Sequence, residues 1–291
     1  MTATYVHDEI ASQPESWRRA AATLPQVSSL LPQHGERIAV VGCGTSWFVA
    51  QAYAVLREES GHGLTDAFAG SEFPAGRSYD RVLTISRSGT TTEILELLGQ
   101  LTDVPTVLVT AVDDSPCAAA ADVTIGLGFA DEQSVVQTRF ATTALALLRA
   151  HLGEDLEPLA LDAEKALAVD VTGLLDLEQV TFLGRGWTVG LAHEAALKTR
   201  EAAQFWAESY PAMDYRHGPI SIAQPGRAVW TLGEVPQGLD SDIAATGAQH
   251  VHHDLDPLAA LVVAQRFAVA LAEHRGLDPD QPRSLTRAVI L

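Results

Sequence analysis

A short apolar run followed by a loop rich in hydroxyl groups is the feature that most constrains this chain. Residues 82–85 read as a buried strand, and the apolar spacing from Thr92 onward reads as the start of a helix. Residues 86–92 carry five hydroxyl side chains and one glycine. Free N–H groups and the helix dipole can hold an anion there. The lysine and glycine spacing of a nucleotide-binding P-loop are absent, so we expect a single phosphate on a small molecule.

Strands and helices alternate along the chain in two successive halves. The first half starts with the strand 37–41 and the glycine turn 42–46, and the second with the strand 179–183 and the glycine turn 184–186. Such alternation implies parallel sheets with helices on both faces. We therefore predict an α/β protein with two doubly wound, flavodoxin-like subdomains in tandem. The predicted domains are an N-terminal helical arm (1–25), a first subdomain (26–157) and a second subdomain (158–291).

The remaining elements follow from apolar periodicity. Further strands are predicted at 65–69, 81–85, 105–110, 123–127, 227–232 and near 248–252, and helices at 8–22, 91–101, 115–121, 134–152, about 188–208 and 257–275. In the second half, the segment 231–236 takes the place of the hydroxyl loop but has one hydroxyl, a carboxylate and a proline. We therefore expect one phosphate site, in the first half.

The charge balance limits the class of partner. With 19 Lys and Arg against 37 Asp and Glu, the formal charge is -18, which argues against nucleic acid. No apolar run approaches the roughly 18 residues of a membrane span, and the N-terminus does not read as a signal peptide. We expect a cytoplasmic protein that does not bind membranes.

Metals and cofactors are not expected. The two cysteines make neither a disulfide framework nor a metal cluster. His250, His252 and His253, flanked by aspartates, are interpreted as a surface turn rather than a metal site. The turn 184–186 lacks the third glycine of a dinucleotide fingerprint.

Two further motifs carry candidate chemistry. Glu194, Lys198 and Glu201 are spaced i, i+4 and i+7, which places them on one helix face. His217 lies in an irregular stretch before Gly218 and a proline. Taken alone, the helix motif also fits a solvated charged face, and the histidine also fits a structural or merely exposed residue.

Together these motifs resemble a known family. The segments 42–46, 86–91, 194–201, 216–219 and 280–285 occur in the same order as in the tandem sugar-isomerase (SIS) module of glucosamine-6-phosphate synthase and the SIS-type glucosamine-6-phosphate deaminases. Residues 9–14 are similar to that family's N-terminal arm. The resemblance covers nearly the whole chain.

The resemblance implies a role for each matching residue. Glu201 would move a proton between C1 and C2 of an open-chain sugar, with Lys198 one turn earlier and Glu194 as a structural group. His217 would open the sugar ring from the other subunit of a homodimer. Sugar and phosphate contacts would come from Thr45, Ser46, Ser86, Arg87, Ser88, Gly89, Thr91, Gln137 and Arg287.

Two departures from the family pattern leave questions open. Arg287 stands where the family has a tail lysine, so a covalent imine through the tail is not expected, although a guanidinium can clamp an oxyanion. Arg87 and Thr90 replace the family's usual Gln and Glu. Arg87 could contact the phosphate or a carboxylate on a larger ligand, or it could anchor the loop to an acidic neighbour.

The expected function is that of a phosphosugar isomerase or deaminase acting on an amino-sugar or ketose 6-phosphate, without a glutaminase domain. The alternatives are a deglycase of fructosamine 6-phosphates, with Arg87 or Arg287 meeting the extra carboxylate, and a non-catalytic sugar-phosphate sensor.

Overall fold

The structure is a computed structural model that describes residues 5–74 and 76–291. It divides into two compact units. The five-stranded unit comprises the described residues of 15–133, 137–157 and 286–291. The four-stranded unit comprises the described residues up to 14, 134–136 and 158–285. The domains predicted from the sequence are continuous segments, whereas each of these units consists of several segments. The predicted domain boundaries stay a prediction.

The helices and strands alternate in the described residues as follows. The helices are α1 (Tyr5–Ala11), α2 (Gln13–Val27), α3 (Thr45–Glu59), α4 (Thr92–Gln100), α5 (Pro116–Ala120), α6 (Arg139–His151), α7 (Leu156–Leu167), α8 (Thr188–Ala203), α9 (Leu239–Thr246) and α10 (Pro257–His274). The strands are β1 (Ile38–Gly42), β2 (Thr65–Ala69), β3 (Arg81–Ile85), β4 (Thr106–Thr110), β5 (Val123–Gly126), β6 (Gln179–Gly184), β7 (Ala207–Pro211), β8 (Arg227–Leu232) and β9 (Gln249–His252).

Each unit is built on one parallel sheet. The five-stranded sheet has the order β2-β1-β3-β4-β5, and the four-stranded sheet has the order β7-β6-β8-β9. Every strand pair in both sheets is parallel. In each sheet the chain moves from its first strand to one edge and then back to the other side. The predicted α/β fold class, with two parallel sheets flanked by helices, is confirmed.

Burial of the central strands explains why they read as apolar runs. All five residues of β1 and of β4 are buried, as expected for strands covered on both faces of a parallel sheet. In the five-stranded unit, Val41, Leu108 and Leu98 belong to one buried cluster between the sheet and its helices. The register pairs Gly42 with Ile85. The first glycine turn and the hydroxyl loop therefore leave neighbouring strands at the same end of the sheet.

Several elements differ from the sequence-based expectation, among them the predicted helix 8–22, which forms the two helices α1 and α2. The predicted helix 188–208 ends at Ala203, and the residues after it form the edge strand β7. The predicted helix 134–152 starts only at Arg139. The helix α9 was not predicted. The reversal after α8 is made by Gln204 in the left-handed conformation, without the glycine that marks many helix ends.

Membrane-spanning segments are absent from the described helices, since none is both long and apolar enough to cross a bilayer.

The backbone at Gly89 should be intolerant of a side chain. Its φ is +62°, and a Cβ there would lie 1.9 Å from Ser115 Oγ. We expect Gly89→Ala to lower the free energy of unfolding by about 1–3 kcal/mol, measured by urea denaturation. The control is Gly99→Ala in α4, where a Cβ would meet no heavy atom of the described chain within 4 Å. That variant should gain up to about 1 kcal/mol. Equal stability of the two variants would contradict the prediction.

Candidate active site

The hydroxyl loop connects β3 to α4 in the five-stranded unit. Ser86 and Ser88 are buried, and Thr91 is the N-cap residue of α4. The Ser86 N–H donates to the carbonyl of Val109 at 3.0 Å, which ties the loop to the neighbouring strand β4. The Cys117 N–H donates to the carbonyl of Gly89 at 2.9 Å. The loop is therefore fixed by backbone bonds on both sides.

Hydrogen bonds inside the loop orient its hydroxyl groups. The Gly89 N–H donates to Ser86 Oγ at 3.2 Å, and Ser86 Oγ lies 3.4 Å from Thr91 Oγ1. Ser88 Oγ accepts from both the N–H and the hydroxyl of Thr90, at 3.2 and 3.0 Å. Each serine oxygen that accepts a hydrogen bond still has its own proton to donate. The loop thus gathers neutral donors at the start of a helix, where the dipole favours an anion.

The first glycine turn adds two hydroxyl residues at the same end of the sheet. Thr45 and Ser46, 5% and 4% exposed, form the start of α3. Gly42 allows the turn, because a Cβ there would lie 2.4 Å from the carbonyl carbon of Ser46. The five-stranded unit therefore brings together, on neighbouring strands, the two loops predicted to hold the phosphate.

Arg87 lies within this loop but contacts the protein itself. Its side chain is 4% exposed, and Nη1 lies 3.7 Å from the buried Glu132 Oε2. Its Nη2 donates to the carbonyl of Arg287 at 2.9 Å. These contacts match the second of the two interpretations of Arg87, an anchor to an acidic neighbour. A contact between Arg87 and a ligand stays a prediction.

Glu132, which was not among the predicted site residues, organises the start of α6. Its Oε1 accepts from the N–H and hydroxyl of Thr138, at 2.7 and 2.9 Å, and from the N–H of Arg139 at 2.7 Å. Its Oε2 accepts from the Phe140 N–H at 3.3 Å. A carboxylate at a helix N-terminus satisfies free donors and complements the dipole. Glu132 lies seven residues before the helix, outside the usual capping spacing, so sequence reasoning missed it.

The end of the described chain is bonded to the same unit. The Arg287 guanidinium donates to the Asp131 carboxylate and to the carbonyl of Glu132. The Thr92 N–H, at the first turn of α4, donates to the carbonyl of Val289 at 3.2 Å. The tail segment 286–291 is therefore held beside the hydroxyl loop by Arg87, Arg287 and the start of α4. The predicted ligand contact of Arg287 stays a prediction.

Gln137 lies in the loop that leads into α6. Its Nε2 atom is buried and has no hydrogen-bond partner among the described residues. An amide with an unused donor is a candidate for ligand contact, as the sequence predicted.

The four-stranded unit contains the predicted charged face on α8, and that face is buried rather than solvated. Glu194 and Lys198 are 2% and 1% exposed. The Lys198 ammonium donates to Glu201 Oε2 and lies 3.6 Å from Glu194 Oε1. A buried ammonium is tolerated when carboxylates compensate its charge. The solvated-face interpretation is therefore wrong for Glu194 and Lys198.

Glu201, the least buried of these three side chains, lines a cavity. The cavity has a volume of about 350 Å³ and is lined by Arg200, Glu201, Gln204, Arg283, Ser284 and Leu285. Burial lowers the pKa of the Arg200 guanidinium, although nearby Glu201 and Glu194 act in the opposite direction. The Lys198 bond fixes one carboxylate oxygen of Glu201, which orients the group at the cavity.

His217 lies elsewhere in the same unit. It ends a short 3₁₀ helix, Asp214–His217, and its exposed side chain makes no hydrogen bond to any described residue. Because α8 returns antiparallel to β6, Glu201 lies near the start of β7, whereas His217 follows the end of β7. Five residues of strand separate these ends by roughly 16 Å. The element order therefore places Glu201 and His217 toward opposite ends of β7.

The histidines near β9 also fail to form a metal site. His250 contacts Asp240 Oδ1 at 2.8 Å and Thr231 Oγ1 at 3.0 Å, while His253 packs against the Trp230 ring. No group of three or more His, Cys, Asp or Glu residues suited to a metal occurs in 5–74 or 76–291.

The comparison with known families finds one partial match. Residues 30–152 match the family model of the SIS domain. This segment includes both the first glycine turn and the hydroxyl loop. One segment matches, so the predicted tandem arrangement stays a prediction.

Several known proteins are similar over most of this chain. A glutamine--fructose-6-phosphate aminotransferase [isomerizing] of Sulfurisphaera tokodaii is 29% identical over 88% of the chain and 50% of its own length. The chain thus spans about half the length of this curated relative. The fold resembles a Thermotoga maritima glucosamine-6-phosphate deaminase, with a TM-score of 0.82, 22% identity and coverage of 99% and 100% of the two chains. It also resembles an Escherichia coli tagatose-6-phosphate ketose/aldose isomerase, with a TM-score of 0.81, 20% identity and coverage of 98% and 97%.

Replacing Glu132 by Gln should destabilise the protein strongly. The change removes the charge from the start of α6 and from the group that lies beside the Arg87 guanidinium. We expect a loss of about 2–4 kcal/mol in the free energy of unfolding at pH 7, measured by urea denaturation. The control is Glu157→Gln, whose exposed ion pair with Arg18 should contribute little. A Glu132→Gln protein as stable as the control would refute the role of Glu132.

Proposed function

We propose that this chain binds a hexose or hexosamine 6-phosphate and interconverts its aldose and ketose forms, with or without release of ammonia at C2. The observation that carries the proposal is the position of Glu201: a carboxylate oriented by a buried lysine at the edge of a cavity. The overall chemistry is balanced in both variants. Isomerisation moves one proton from C2 to C1 and a second from the C2 hydroxyl to the C1 oxygen, and deamination of glucosamine 6-phosphate consumes one water and gives fructose 6-phosphate and ammonia.

The phosphate is assigned to the hydroxyl loop. Ser86, Ser88 and Thr91 would donate their hydroxyl protons, and the backbone at Gly89 would allow the close approach. Thr45 and Ser46, on the neighbouring strand end, would contact the sugar or the phosphate. Neutral donors suit this task in a chain with a formal charge of -18, because they bind an anion without needing an excess of local cations.

The proton transfer is assigned to Glu201. A base that removes a proton from C2 and returns it to C1 must be held close to both carbons, and such a group typically contributes on the order of 10²–10⁴-fold to the rate. Lys198 is proposed as a positioning residue, since its ammonium contacts Glu201 and is itself buried. Glu194 balances that ammonium from the other side.

His217 is proposed to open the sugar ring of a neighbouring subunit in a homodimer. Its distance along β7 from Glu201 supports this assignment, as does its exposed position at the edge of the sheet. Trp206 and Met213, each 50% exposed, flank the same edge strand, which suits a surface buried by a second copy.

The names of the similar proteins agree with this class of chemistry. They include an isomerizing aminotransferase of fructose 6-phosphate, a glucosamine-6-phosphate deaminase and a ketose/aldose isomerase. We also propose that the four-stranded unit is a second, diverged SIS subdomain. Its strand order, β7-β6-β8-β9, is the same as that of the first four strands of the other sheet, β2-β1-β3-β4.

The function is tested by incubation with glucosamine 6-phosphate and with fructose 6-phosphate, followed by assays for ammonia and for aldose or ketose products. Ammonia release supports deamination, and interconversion without ammonia supports isomerisation. Binding without turnover, unchanged by Glu201→Gln, would favour a sensor. Release of an amine from a fructosamine 6-phosphate instead would favour a deglycase.

A complementation experiment tests the shared site. We expect Glu201→Gln and His217→Asn each to reduce kcat by on the order of 10²–10⁴-fold, because each removes one proton-transferring group. Mixing the two inactive variants and allowing the subunits to exchange should restore about a quarter of the activity. Half of the dimers are then mixed, and each has one intact site.

The matched control is Glu273→Gln, which removes an exposed carboxylate of the four-stranded unit that pairs with His7. It should keep full activity, alone and in mixtures. A mixture of the two inactive variants that is no more active than either one would contradict a site shared between subunits.

A further inference from the structure

We infer that the cavity beside Glu201 is a carboxylate-binding pocket, formed by Arg200 and Arg283. The preferred ligand would then be a sugar phosphate that carries a carboxylate on a substituent of its C1 or C2 nitrogen. This inference rests on the proposed phosphosugar chemistry at Glu201, and among the outcomes given above for that site it favours release of a substituted amine over release of ammonia.

The first of the two guanidinium groups belongs to Arg283. Its side chain is exposed, it lines the cavity, and it makes no hydrogen bond or ion pair with any residue in the described ranges. The chain has 37 acidic and 19 basic side chains, so carboxylates that could pair with an arginine are plentiful. An unpaired guanidinium at a cavity in such a protein points to an anionic ligand.

Arg200 supplies a second guanidinium that lines the same cavity. Its Nη1 donates to the carbonyl of Ala207 at 2.8 Å, which fixes the side chain at the end of α8. It forms no ion pair within 4 Å in the described part of the chain. One backbone bond uses one of its five N–H donors, so others remain for a ligand.

The backbone around the pocket is held in an unusual conformation. Gln204 and Ser284 are the two non-glycine residues with positive φ in the described chain, at 49° and 63°. Both line this cavity. Left-handed conformations cost energy for such residues and are concentrated at ligand-binding sites. Here they bring an amide and a hydroxyl, both able to donate hydrogen bonds, to the cavity that contains the two arginines.

A carboxylate fits this pocket better than a second phosphate. Glu201 lines the same cavity, and its negative charge opposes a dianion more than a monoanion. The guanidinium fork matches the planar carboxylate with two parallel hydrogen bonds. The other two arginines considered for such a role, Arg87 and Arg287, are engaged with Glu132, Asp131 and the tail of the five-stranded unit.

The test uses two open-chain ligands without a carbonyl group, so that no turnover occurs. They are 1-deoxy-1-aminosorbitol 6-phosphates substituted on nitrogen with carboxymethyl or with ethyl, and they differ only in the carboxylate. Calorimetric titration of the full chain should give a dissociation constant about 10–100-fold lower for the carboxymethyl ligand. Arg283→Gln should reduce the ratio of the two dissociation constants to about threefold or less and leave the dissociation constant of the ethyl ligand unchanged.

Further variants separate charge from geometry. Arg283→Lys and Arg200→Lys should keep only part of the ratio, because an ammonium lacks the bidentate fork. Lys165→Gln removes an exposed cation of the same unit and should keep the full ratio.

Two results would overturn the inference: a ratio near one in the unmodified protein, or a full ratio in Arg283→Gln. If both ligands bind with equal affinity, the carboxylate pocket is wrong and the phosphosugar function stands. If neither ligand binds, and sorbitol 6-phosphate does not bind either, the proposed function fails together with the pocket.

Discussion

The arrangement of the five-stranded unit depends on the buried carboxylate of Glu132. The carboxylate accepts hydrogen bonds from N–H groups at the start of α6 and lies beside the Arg87 guanidinium of the hydroxyl loop. The backbone carbonyl of Glu132 accepts a hydrogen bond from Arg287. The start of α6, the hydroxyl loop and the tail segment 286–291 therefore all contact Glu132. Because the carboxylate is almost completely buried, its charge is compensated by these donors rather than by water.

This network leaves neutral donors at the hydroxyl loop of an acidic protein. The one cation within the loop, Arg87, contacts Glu132 and the Arg287 carbonyl. The proposed phosphate site therefore rests on hydroxyls and backbone N–H groups, which bind an anion by direction and dipole rather than by net charge. The two units differ in this respect. The corresponding segment after β8 has Glu234 in an exposed ion pair with Arg185, and no comparable set of hydroxyls.

Local sequence was sufficient for the parts of the molecule that depend on local rules. The apolar runs of β1 and β3, the glycine turn at Gly42 and the hydroxyl loop could be read because burial and tight turns impose residue types directly. The spacing of Glu194, Lys198 and Glu201 fixed their common helix face. It did not reveal whether that face is buried, because burial depends on what packs against α8.

The missed features depend on contacts between residues distant in sequence. The strand β7 follows α8 after a turn made by a non-glycine residue, so nothing local marked the end of the helix. Glu132 was overlooked because it reaches α6 across a loop, and the tail contacts of Arg287 lie 155 and 156 positions away. Arg283 was noticed only as part of a motif. Its lack of a partner among the residues that the structure describes becomes visible only in three dimensions.

The central claim is that the molecule holds its ligand through a phosphoryl group bound by neutral donors of the hydroxyl loop. The most direct test is a calorimetric titration with sorbitol 6-phosphate and with sorbitol, in the unmodified protein and in a Ser86→Ala, Ser88→Ala double variant. We expect binding of the phosphate ester alone, and a loss of at least tenfold in affinity in the double variant. Equal affinity for sorbitol and its phosphate, or undiminished binding by the double variant, would contradict the account.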